Sequence, residues 1–192
     1  MSLTPIKCRG RPDFCLALWV LMVVASMTPV TAANSELTAL EYKVKAGYLI
    51  NFAKFVEWPS TAFETPSAPL VVGLIGSAHF GQVLQEMLDG RTVNGRAFSL
   101  RQLGAGDDIG SCHILFVGSA ETRPAAHIAE ALKGRPVLTV GESDRFCESG
   151  GMLNFTIIGG QVKLESNPWA ATSTGLKISS KLLAASKPVK TL

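Results

Sequence analysis

Three short runs free of Asp, Glu, Lys and Arg constrain this chain more than anything else in it: Leu70–Ile75 (LVVGLI), His113–Val117 (HILFV) and Pro136–Val140 (PVLTV). Each has the length of a strand and is apolar at odd and even positions alike, the pattern of a strand covered on both faces. Such strands need helices above and below them, and the intervening sequence supplies candidates at Phe80–Leu88 and Arg123–Leu132. Strands alternating with helices predict βαβ units and a mainly parallel sheet. Arg91–Leu103 reads as a strand or hairpin around the turn pair Asn94-Gly95, followed by a loop over Gly104–Gly110.

The pattern changes after a long polar loop, Gly141–Gly151. Met152–Ile158 and Gln161–Glu165 read as two strands joined by Gly159-Gly160, an antiparallel hairpin at one edge of the sheet. Asn167-Pro168 is a helix start, with Asn as N-cap and Pro at the first helical position, and Trp169–Ala185 is expected as one final helix. Lys187–Lys190 reads as a frayed basic tail. Upstream, Glu36–Val56 carries Leu37, Leu40, Val44, Tyr48, Phe52 and Phe55 at helical spacing, which predicts one apolar stripe facing the sheet. Trp58-Pro59 ends that helix, and Ser60–Pro69 is a surface loop. The expected fold class is α/β: a three-layer, Rossmann-like, mainly parallel sheet flanked by helices, with a C-terminal antiparallel hairpin and a final helix.

The first 32 residues follow other rules. Lys7, Arg9 and Arg11 precede the uncharged stretch Phe14–Met27, and Val30-Thr31-Ala32 fits the small-residue rule for cleavage. This is the layout of a secretory signal peptide, and its apolar run is short against the roughly 20 residues of a membrane span. Residues 33–192 then form a single exported domain. Losing Lys7, Arg9, Arg11 and Asp13 lowers the formal charge from +3 to +1. A near-neutral domain has no electrostatic case for binding nucleic acid or an anionic membrane. Cleavage also removes Cys8 and Cys15, leaving Cys112 and Cys147 in a compartment where disulfides persist. Spacing alone leaves open whether these two thiols are bonded to each other or buried and inert.

No constellation in the sequence carries recognisable chemistry. Gly73-x-x-Gly76 at a strand end is neither a dinucleotide fingerprint nor a phosphate loop. His79, His113 and His127 are too far apart for a local metal motif. Gly118-Ser119-Ala120 lacks the nucleophile-elbow pattern, and no cysteine and histidine share a catalytic spacing. No catalytic residue, cofactor or metal is expected, and the chain reads as a binding or regulatory protein rather than an enzyme. Phe52, Phe55 and Trp58 cluster at a helix end, while Gly150-Gly151-Met152 and Glu165-Ser166-Asn167 flank the hairpin. Aromatic residues edged by a few charges resemble a protein interface.

These segments together resemble the YfiR family of periplasmic proteins. The most specific stretches are Phe52–Pro59 (FAKFVEWP), Gly150-Gly151-Met152 and Leu176–Leu183 (LKISSKLL). Apolar strands matching Val71–Gly76, Cys112–Phe116 and Val137–Gly141 lie between them in order. The resemblance implies a periplasmic repressor that binds the periplasmic sensor domain of an inner-membrane diguanylate cyclase of the YfiN type. An outer-membrane lipoprotein of the YfiB type would sequester it. Release would raise cyclic di-GMP and favour biofilm and exopolysaccharide. A homodimer is a further candidate assembly. The alternative is a periplasmic small-molecule sensor acting on a histidine kinase or another membrane partner. The best-known members carry two disulfides, and here Gly73 and Asn154 stand at the partner positions of Cys112 and Cys147, so free thiols are expected. On this resemblance the partner-binding residues would be Leu153, Glu165, Asn167 and Lys177, with Trp58 beside them.

Overall fold

A computed structural model describes residues 30–121 and 123–190. Contacts divide the chain into two units, Met1–Thr38 and Ala39–Leu192, and every strand belongs to the second. The expected leader lies outside the described residues except at Val30–Ala32, which form the first residues of helix α1 (Val30–Phe55). The remaining elements are β1 (Val56–Glu57), β2 (Leu70–Ile75), α2 (Ala78–Leu88), β3 (Thr92–Val93), β4 (Arg96–Gln102), β5 (Ile114–Val117), α3 (Ala125–Ala131), β6 (Leu138–Gly141), β7 (Leu153–Ile158), β8 (Gln161–Ser166), α4 (Pro168–Thr172), β9 (Lys177–Ile178), α5 (Ser180–Ala184) and β10 (Lys187–Pro188).

Eight strands form one sheet in the order β10-β8-β7-β6-β5-β2-β4-β3. The pairs from β4 through β2, β5 and β6 to β7 are parallel, and β7 with β8 is antiparallel. The three apolar runs are its central strands, as their two-sided apolarity predicts. Alternate residues of each enter different cores. Val72, Leu74, Ile114, Phe116, Leu138 and Val140 pack with α1 and α2. Ile75, Leu115, Val117 and Val137 pack with Ile128 of α3 and with Leu132. This gives the expected layering of helices, sheet and helix.

Aromatic rings tie the first layer together. Phe155 of β7 stacks on Phe52 of α1 and meets Tyr48 and Phe116, with centroids 5.7 to 6.3 Å apart. Phe116 meets Phe80 of α2 at 4.7 Å, and Phe80 meets Tyr42 back on α1 at 5.2 Å. The circuit therefore closes through two helices and two strands. Each such pair contributes on the order of 1 kcal/mol beyond the area it buries.

Three expectations need correction. The stripe on α1 is buried only in part: Leu40 is 60% exposed and Val44 is also exposed. Continuous burial starts at Lys45-Ala46 and follows Leu49, Ile50, Phe52 and Ala53 instead. The helix faces the sheet along those positions, so the spacing of Leu40 and Val44 is regular but lies on another face. The final helix is two short ones, because Gly175 adopts φ +79° and Lys177–Ile178 go extended to pair antiparallel with Val56–Glu57. The same pairing ends α1 at Phe55, before Trp58-Pro59. The basic tail is not frayed: Lys187–Pro188 pair with Glu165–Ser166 at the sheet edge.

Phe155 is the joint of the aromatic circuit and nearly fully buried. Phe155→Ala will cost about 3–5 kcal/mol of stability in urea unfolding. Ile158→Ala, on the exposed end of the same strand, will stay within about 0.5 kcal/mol.

Candidate functional site

The residues expected to bind a partner separate into buried and surface groups. Leu153 and Asn167 are fully buried and present no side chain to a partner, which corrects that part of the expectation. Leu153 lies between β6 and β8, opposite Val140 and Ser166. Asn167 holds the loop–helix junction: its backbone N–H donates to Met152 O, its Nδ2 to Cys147 O, and its Oδ1 accepts from Ala170 N–H as the N-cap of α4. Its role is to fix the approach to α4, as the capping pattern suggested.

Trp58, Glu165 and Lys177 remain at the surface wholly or in part. The β1–β9 ribbon brings two of them together, because Glu57 stands opposite Lys177 and Trp58 follows directly. Ser179 N–H donates to Phe55 O and closes the ribbon. Glu57 is exposed and joins this surface; it lies in the Phe52–Pro59 stretch but was not singled out there. Glu165 is half-buried on β8, accepts a hydrogen bond from Asn154 Nδ2 at 3.3 Å, and stands opposite Lys187 of β10.

Trp58 is also tied inward. Its Nε1 donates to the backbone carbonyl of His113 at 3.2 Å. The His113 ring stacks on Phe63 with centroids 4.3 Å apart, and the guanidinium of Arg96 covers Phe63 from 3.7 Å. Because Val71 N–H donates to Nδ1, the imidazole is neutral with its proton on Nε2, which donates to Ala62 O. His113 thus pins the 60–69 loop to the start of β2. Burial holds this imidazole below its ordinary range, the Ala62 carbonyl pulls the other way, and Arg96 adds to the lowering.

Sequence reasoning missed a charged cluster at the opposite ends of the strands. Lys45 is buried and bonded to both Glu41 and Glu142, the latter at 2.6 Å. Glu142 follows β6 directly, and its other oxygen accepts from Ser119 N–H at 2.8 Å, just past β5. Burial disfavours the Lys45 ammonium, yet the hydrogen bonds it donates to Glu142 and Glu41, with their charges, outweigh it and hold its pKa above the usual range.

Cys112 and Cys147 are both free and buried. Burial pushes each thiol up to about 12, so neither forms thiolate readily at neutral pH. A Cβ placed at Gly73 would lie 2.9 Å from Cys112 Sγ and 3.3 Å from its Cβ. Gly73 therefore stands beside Cys112, where the resemblance places the missing half of a bridge. Asn154 is fully buried with its Oδ1 unpartnered. Among the described residues no group of three or more His, Cys, Asp or Glu could hold a metal ion. No described helix is long and apolar enough to cross a membrane.

Comparison with protein families matches the chain to the model described as YfiR/HmsC-like over residues 42–187, more than half of its length.

Two outcomes test this geometry. Gly73→Cys, produced with export to an oxidising compartment, will bond to Cys112; the intact mass falls by two hydrogens and one fewer thiol titrates under denaturant than in the parent. For His113, the folded pKa lies below the unfolded value of about 6.5, so the unfolded chain takes up the proton first. Stability is therefore full above about pH 6.5 and declines as the pH falls below it. Urea midpoints taken downward from neutral pH will show that decline, and His113→Gln will flatten it.

Proposed function

Because the chain belongs to the YfiR/HmsC-like family, we propose that it is a periplasmic regulator of diguanylate-cyclase signalling. In this reading it is exported by its first 32 residues and binds the periplasmic sensor domain of an inner-membrane cyclase of the YfiN type. It binds the inactive conformer better and so shifts the cyclase population toward it. A YfiB-type outer-membrane lipoprotein would compete for the repressor and release the enzyme. Cyclic di-GMP, biofilm and exopolysaccharide would rise as a result.

The family match is the observation that carries this reading. In this reading the partner meets the surface around the β1–β9 ribbon. The exposed Lys177 faces Glu57 across a two-stranded ribbon, Trp58 adjoins it, and Glu165 is half-buried on β8. A ribbon rigidly closed by backbone bonds offers a partner charges in fixed positions, and such charges govern which partner is accepted. Leu153 and Asn167 support that surface from inside, and a change at either would act through the fold.

The test is cellular cyclic di-GMP in a deletion strain. Deletion will raise it, and only the exported form of the protein will restore it. Lys177→Glu and Glu165→Lys will each fail to restore it while the protein stays folded, with a single cooperative urea transition. Full restoration by both variants would remove this surface from the mechanism. An unchanged cyclic di-GMP level on deletion would remove the cyclase.

A further inference from the structure

A cavity of about 580 Å³ opens at the amino ends of the central strands, beneath the 60–69 loop. This lies within the volume range of small-molecule sites, roughly 300–1,000 Å³. Its lining includes the apolar side chains of Val71, Pro136, Val137 and Phe63. It also includes Arg101, Ser111 and Arg135.

Both arginines are exposed at the cavity mouth, and neighbouring groups hold each of them. Arg101 forms no ion pair among the described residues. Its Nη1 donates to Ser111 Oγ at 2.7 Å, and Ser111 Oγ donates in turn to Asp108 O at 2.7 Å. A hydroxyl therefore orients the guanidinium without neutralising it. Arg135 shares one contact with Asp108, Nη1 to Oδ1 at 2.9 Å, and lies so close over Gly110 that any Cβ there would strike it. Asp108 Oδ1 also accepts from Gly110 N–H, so one carboxylate oxygen serves both the turn and Arg135. Glu64 on the loop is the acidic residue of the lining, on the same segment as Phe63. His113 has both ring nitrogens engaged within the protein and serves as wall, not as ligand group.

We propose that this cavity binds a small organic anion, its acidic group held by Arg101 and Arg135 and its apolar body laid against Val71, Pro136 and Val137. A planar guanidinium presents parallel donors that match a carboxylate or sulfonate, and one lacking a carboxylate partner has donors to spare. The apolar part of the lining favours an organic body over a bare inorganic ion. Binding here stands independently of the regulatory reading. It would be felt at Trp58, whose indole is bonded to the carbonyl of His113 in the cavity wall.

The test uses two probes that differ in the acidic group: 8-anilinonaphthalene-1-sulfonate and its neutral counterpart N-phenyl-1-naphthylamine. Protein purified from the periplasm, where residues 1–32 including Trp19 have been removed, carries Trp169→Phe, so that Trp58 is its one tryptophan. The sulfonate is expected to saturate one site, to draw energy from Trp58, and to bind at least tenfold tighter than the neutral amine. Arg101→Gln should weaken the sulfonate at least tenfold and leave the amine unchanged, with an unaltered circular dichroism spectrum. Arg135→Gln provides the same comparison should the first variant lose its fold. Equal affinity for the two probes, no saturable sulfonate binding, or a sulfonate affinity untouched by both substitutions would overturn the proposal.

Discussion

The central strands β2, β5 and β6 have no solvent face, and the rest of the molecule is arranged around that constraint. A strand covered on both sides can carry apolar side chains only, so its polar residues are displaced to its ends. Here the displacement is visible in both directions. His113 and Cys112 precede β5, and Glu142 and Ser119 follow β6 and β5. Thr139, the one polar residue inside these strands, is satisfied because its Oγ1 accepts from Met152 N–H. Chemistry is confined to two rims separated by a dry middle, and the helices exist to keep the middle dry. The closed circuit of rings from Tyr42 through Phe80, Phe116 and Phe155 to Phe52 is how one of those helical layers is fastened.

Much of this was legible in the chain because it depends on local pattern. Two-sided apolarity identified the three central strands, Gly159-Gly160 the hairpin, Asn94-Gly95 the turn into β4, and Asn167-Pro168 a helix start. What escaped depends on pairings between distant residues. Val56–Glu57 meets Lys177–Ile178 from the far end of the domain, and that contact both shortens α1 and divides the last helix. Lys187–Pro188 looked like solvent-facing charge and proline, yet it covers the edge of β8. On α1, Leu40 and Val44 kept helical spacing with Tyr48 and Phe52, but spacing does not say which face meets the sheet.

The candidate surface was legible to a similar degree. Lys177, Glu165 and Trp58 were marked by a resemblance in sequence, and all three retain some surface. Leu153 and Asn167 were marked by the same stretches, yet burial gives them structural tasks. A motif shared across a family mixes residues that meet a partner with residues that shape the region, and only burial separates them. The cluster of Lys45, Glu41 and Glu142 had no sequence signal, since Glu142 lies across the whole sheet topology from α1.

That cluster has a consequence for what the fold can accept. In open α/β sheets, ligands enter at the carboxyl ends of the strands, where backbone N–H groups converge on an anion. Here the Glu142 carboxylate already rests on the Ser119 N–H and is neutralised by Lys45. The chain is, in effect, its own inhibitor at that rim. A tethered occupant competes at a high effective concentration, on the order of millimolar for a short flexible linkage. An outside anion must also leave a half-buried carboxylate without its cation in order to displace it. At that point of the carboxyl-end rim, a position that serves as a mouth in enzymes of this architecture is filled by the protein's own carboxylate.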